Sequence, residues 1–142
     1  MTSDSHDAQG SIVELPEDEC RELLTTTTVG RIAFVDDDGQ QLVPVNFAYL
    51  DGAIYFRTLT DGFLAGLARR DIGVAFGVDH HDAMYRGGWN VTVKGRAEQV
   101  EDQPTIDTVL AHTRLRPWAG GDRPLVIRVT VDHIAGRKVV VR

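Results

Sequence analysis

Cysteine is nearly absent. Cys20 is the single one in 142 residues, which excludes an intrachain disulfide and any zinc centre assembled from the cysteines of one chain. Buried cysteines usually behave as small hydrophobes, so Cys20 is expected to pack a helix. Basic charge is also scarce: 15 Lys and Arg against 21 Asp and Glu leave a formal charge of −6 and a pI near 5.2. Binding to duplex phosphates needs a concentrated basic face, so nucleic acid is not an expected partner. A membrane is not expected either. No apolar run approaches the roughly 20 residues that span a bilayer, and MTSDSHDAQG has neither a basic start nor an apolar stretch. A cytoplasmic location is the expectation. Also missing are the GxGxxG and GxxxxGK phosphate loops, an assignable Ser-His-Asp set and a defensible carboxylate pair. No general base is identified, and the catalytic residues stay unknown.

What is present suits one globular domain, with 42% apolar and 25% charged residues. Residues 1 to 10 are polar and aperiodic, which predicts a disordered tail before a single domain over 11–142. LPEDECRELL predicts a helix, with Pro16 in the first turn and three acids at the positive end of its dipole. The threonines 25 to 28 and Gly30 end it. RIAFVD, QLVPVNFAYL and AIYFRT follow as three strands, the last two joined by Asp51-Gly52. DGFLAGLARR predicts a short helix and IGVAFGVD a buried strand. WNVTVKGRAEQV alternates clearly, Trp89, Val91, Val93 and Ala97 against Asn90, Thr92, Lys94 and Arg96. A helix near 103–112, then LVIRVTV and RKVVVR, complete the pattern. The fold class is mainly β with short helices, six or seven antiparallel strands in a closed or nearly closed barrel.

Polar residues stand where two apolar strands end. Asn46 shares a strand face with Pro44, which cannot donate to a ladder and so marks an edge or bulge. Arg57, Thr58 and Thr60 close the next strand just before a helix, an arrangement suited to a phosphate. Spacing alone leaves a second reading open, in which Arg57 makes a surface ion pair and the threonines cap the helix. DHHD, residues 79 to 82, invites a metal, but neighbouring strand residues point to opposite faces, and a loop is expected there.

The ordered set VGRIAFVDDDGQQLVPVNFAYLDGAIYFRT, VAFGVD, GWNVTVKGRAEQV and RPWAGGDRPLVIRVTVDHIAGRK resembles the FMN-binding split barrel of the pyridoxamine 5'-phosphate oxidase-like proteins. The resemblance covers residues 11 to 142. It implies a homodimer with FMN in a groove between protomers, and an oxidoreductase acting on a small molecule. Val45 and Asn46 would run along the flavin ring, and Arg57, Thr58 and Thr60 would hold the phosphate. Asn90 would meet the polar edge of the flavin beside Trp89, Trp118 would cover the ring, and Arg137 would reach the second protomer's cofactor. Many relatives place a lysine where this chain has Phe63, so Arg57, or Arg69 and Arg70, would compensate. Two alternatives keep the barrel: a deazaflavin or haem in the same groove, or a non-catalytic flavin sensor or carrier.

Overall fold

The structure is a computed structural model that describes residues 10–60, 62, 64–70, 72–84, 86–112 and 124–141; for Ala68, Arg70 and Val141 it describes the backbone alone. The tail assigned to residues 1 to 10 lies outside this range except for Gly10, which already belongs to a strand.

The strands are β1 (Gly10–Glu14), β2 (Val29–Asp36), β3 (Gly39–Asn46), β4 (Ala48–Leu50), β5 (Ala53–Thr58), β6 (Gly73–Asp82), β7 (Gly87–Gln99), β8 (Leu125–Val129) and β9 (His133–Val141). The helices are α1 (Glu17–Leu23), α2 (Ala65–Arg70) and α3 (Gln103–Ala111). The sheet runs β3-β2-β6-β7-β8-β5-β4, with β9 added to β7 and β1 to β9. It is antiparallel and not closed, as in a split barrel. Its two ends, β3 and β4, do not pair but are consecutive in the chain, joined through Phe47, whose N–H extends the β2–β3 ladder by bonding the Thr28 carbonyl at 2.9 Å. Past Phe47 the chain leaves β2 and pairs with β5, which divides QLVPVNFAYL into two strands. With GSIVE forming β1 as well, nine strands stand where six or seven were expected.

β7 is the joint of the molecule. One edge pairs with β6 along its length; the other meets β9 over Gly88–Lys94 and then β8 over Ala97–Gln99. Between these stretches the chain bends at Gly95, where Thr130 donates its N–H to the Arg96 carbonyl and Asp132 its own to Lys94, both at 3.0 Å. A large cluster fills the barrel: Phe47, Phe56, Phe76, Ile32, Ile54, Ile127, Val91 and Val93 are fully buried. Each such side chain contributes about 1.5–3 kcal/mol by leaving water. Phe47 and Phe76 meet edge to face at 4.9 Å. A second, smaller cluster gathers Ala48, Tyr55, Val126 and Val100 against Val109 of α3.

β1 differs from the rest. Among the described residues it pairs with β9 alone, and all its residues but Ser11 are exposed. Ordering a residue costs about 1–2 kcal/mol of backbone entropy, and a ladder hydrogen bond returns about 1 kcal/mol net. Without burial, a five-residue strand sits close to balance.

Candidate functional site

Residues directly opposite each other in antiparallel strands share a face, so the register shows which polar groups assemble. Asn46 lies opposite Val29, Asp79 opposite Asn90, Asn90 opposite Arg137, and Arg137 opposite Glu14. Arg31 lies opposite Gly77, and that register continued by two residues sets Val29 opposite Asp79. The ion pair of Arg31 Nη1 with Asp79 Oδ1 at 3.0 Å is the diagonal contact this register makes. Asn46, Asp79, Asn90, Arg137 and Glu14 therefore form one polar row across the outward face of the sheet. The β4–β5 ladder ends at Ala48 and Tyr55, and β3, whose last residues are Val45 and Asn46, approaches β5, whose last residues are Arg57 and Thr58.

This geometry sorts the residues singled out from sequence. Asn46, Arg57, Asn90 and Arg137 point outward. Val45 and Thr58 point inward: Val45 packs on the main cluster, and Thr58, only 3% exposed, is the one polar side chain named within the buried core of the described residues. Arg57 and Thr58 thus lie on opposite faces of β5, so they approach one ligand only at the strand end. Thr60 follows β5 and is exposed. Asn46 and Asn90 are three strands apart, roughly 14 Å at about 4.8 Å per strand. Within one protomer the sites therefore form two groups, Val45, Asn46, Arg57, Thr58 and Thr60 on one side, Asn90 and Arg137 on the other. Trp118 and Phe63 lie outside the described residues. Arg69 is exposed on α2.

Around the polar row the outward face is hollow. One groove of about 370 Å³ is lined by Arg31, Ala33, Leu42, Ala75, Gly77 and Thr92, with Asp79 and Asn90 at its end. Another, of about 480 Å³, runs past Glu14, Asn90, Thr92, His133 and Arg137. Sequence reasoning missed the floor of small residues, although the signal was present. In GVAFGVD the residues Gly73, Ala75 and Gly77 alternate with buried Val74, Phe76 and Val78. A strand that is small on one face and bulky on the other leaves room on the small side.

Other expectations change. DHHD is not a loop but the end of β6, Asp79 to Asp82 pairing with Gly87 to Asn90. Its histidines do fall on opposite faces, His80 with its ring 6.4 Å from Trp89, and no metal-binding group of His, Cys, Asp and Glu occurs among the described residues. Cys20 is wholly buried, its thiol 3.8 Å from the Leu15 carbonyl. Burial first, then the neighbouring acids Glu19, Glu17 and Asp18, push that thiol above its ordinary pKa, which keeps it protonated and unreactive. No helix among the described residues is long and apolar enough to cross a membrane.

A family model described as pyridoxamine 5'-phosphate oxidase matches residues 16–138. An uncharacterized protein of Mycobacterium tuberculosis, Rv0080, is 31% identical over 134 residues, which is 91% of this chain and 86% of the relative. Among solved structures, an FAD-binding protein of Mesorhizobium loti superposes with a TM-score of 0.75 at 28% identity, covering 89% of this chain and 97% of the other. An FAD-binding protein of Mycobacterium smegmatis gives a TM-score of 0.70 at 28% identity, with 90% and 98% covered.

Proposed function

Because the chain belongs to the pyridoxamine 5'-phosphate oxidase family, we propose that it is a flavoprotein that binds FMN, or the FMN half of FAD, on the outward face of its split barrel. The observation that carries this reading is the approach of β3, which ends in Asn46, to β5, which ends in Arg57 and the buried hydroxyl of Thr58. A guanidinium, an amide and a hydroxyl at one strand junction are donors of the kind a phosphate ester and a polar ring edge require. The donor set therefore fits a flavin nucleotide, and the FAD-binding names of two relatives support the class.

When bound, the flavin would supply the redox chemistry, and an oxidoreductase acting on a small molecule is the activity proposed. The chain itself binds and orients: Arg57 and Thr58 hold the phosphate, Thr60 lies at the strand exit, and Val45 and Asn46 fix the ring through backbone and amide. Asn90 and Arg137 form the second group, three strands from Asn46 across the face. We assign them to the ligand of a second copy, which makes a two-fold dimer, face against face, the working assembly. Arg137 makes no ion pair among the described residues, so its charge is available for that role.

Titration of FMN by flavin fluorescence tests the assignment. Arg57→Ala should weaken binding by about ten- to a hundredfold, the equivalent of about 1.5–3 kcal/mol for a charge-assisted hydrogen bond. Lys94→Ala, an exposed cation two rows away along the same face, should change it less than threefold or so. Equal losses in the two variants would remove the phosphate from Arg57.

A further inference from the structure

Resting on the paired-protomer reading above, we propose that β1 is an assembly-dependent strap: a second copy of this chain holds it in place, and once held it walls the ligand groove. β1 is almost bare, with Ile12 67% and Val13 40% exposed, yet it keeps full register on β9. Its side chains explain where the missing contact lies. Ile12 stands opposite Val139, itself 43% exposed, and Val139 opposite Gly88, so β1 adds an apolar corner to the outward face. Val35 and Leu42, 63% and 66% exposed, form a second apolar corner on the same face, on β2 and β3.

The occupant is a second copy because this face is complementary to itself. It carries Arg31 and Arg137 as well as Asp79 and Glu14, and the two signs already meet within one copy, Arg31 with Asp79 and Arg137 opposite Glu14, so the face has no strong charge of one sign. A two-fold axis lying in the face exchanges its ends, so the corner at Ile12 and Val139 meets the corner at Val35 and Leu42. An apolar peptide or a strongly charged partner would satisfy one half of this pattern and oppose the other.

The consequence for binding follows from what β1 borders. Ile12 lines a hollow of about 390 Å³ with Asn90, Arg137 and Val139, and Glu14 lines the groove of about 480 Å³ past the same Asn90 and Arg137. When β1 detaches, both lose a wall. Ligand affinity at Asn90 and Arg137 is then coupled to the monomer–dimer equilibrium.

The test needs no flavin, so it stands whether or not the cofactor assignment does. Sedimentation gives the mass across a concentration series, and hydrogen exchange follows the β1 amides that bond β9. The expected result is a dimer whose β1 protection falls on dilution through the dissociation constant. Ile12→Asp, harmless on an exposed monomer surface, should raise that constant about tenfold or more and strip the protection. Val13→Asp, which points to the opposite face, should leave it within about threefold. A dimer with concentration-independent β1 protection, or one that tolerates Ile12→Asp, or one equally hurt by Val13→Asp, overturns the strap and leaves the pairing intact. A single-chain mass at every concentration overturns both.

Discussion

Gly95 shows how a single position decides the shape of this barrel. A methyl group there would run into the carbonyl oxygen of Thr130, a backbone atom that cannot swing aside. The closeness is what lets β7 leave β9 and take up β8, because Thr130 also accepts the Arg96 N–H on its hydroxyl at 3.0 Å. Gly95→Ala should therefore lower stability by about 1–3 kcal/mol, the usual cost of overfilling a packed site, read as a drop in the urea midpoint. A midpoint unchanged from wild type would mean that β7 and β8 can separate without loss. Gly30 is filled instead by a side chain, the buried Phe76 ring, which occupies the space a methyl group would need. The sequence marked Gly30 only as the end of the first helix and Gly95 only as a glycine within a strand pattern, since a close approach between distant segments leaves no local trace.

Among the elements, α3 depends on its first residue. Asp102 caps it, accepting the Thr105 N–H at 3.0 Å and the Thr105 hydroxyl. The hydroxyl bond first, then the backbone bond, hold the Asp102 carboxyl below its ordinary value of 3.8. A depressed carboxyl stabilises the fold fully above the ordinary value and loses that contribution as pH falls through the lower, folded one. Amide exchange in α3 should thus accelerate below about pH 3.8 in the wild type, whereas Asp102→Asn, which keeps a capping oxygen, should show no such acid step. An identical step in both proteins would place the acid sensitivity elsewhere. Elements of this kind were legible in advance: α1 falls where its start signals stood, α3 lies within the span expected for a helix near 103–112, and β7 alternates as its residues do. The split at Phe47 was not, since it depends on a change of partner, β2 up to Asn46 and β5 from Ala48, while the residue pattern itself runs on. β1 escaped for a related reason, its five residues being ordered by β9 and not by any pattern of their own. The candidate site was half legible: residue types located Asn46, Arg57, Asn90 and Arg137, but the face each one joins depends on register between strands distant in sequence.

At the scale of the whole molecule, the single strand β7 ties the two halves together. It pairs with β6 and β9 in the part that carries the outward face, and with β8 in the part that carries Arg57 and Thr58 through β5. The main core is likewise common to both, Ile54, Phe56 and Ile127 packing with Ile32, Phe76 and Val93. Neither half can keep its ladder or its burial when the other is lost, so unfolding should be one cooperative transition. Val126 offers the test because it is 1% exposed in the smaller cluster beneath α3, whereas Trp89 reports from the β6–β7–β9 side. In a Trp118→Phe background, where Trp89 is the remaining tryptophan, Val126→Ala should remove about 2 kcal/mol. Trp89 fluorescence and far-ultraviolet circular dichroism should shift together in urea, at fixed protein concentration, with an unchanged slope. Should the dichroism move while Trp89 keeps its wild-type midpoint, the halves would be separable units. The groove proposed to lie between copies would then rest on a sheet able to stand without the strand end that carries Arg57.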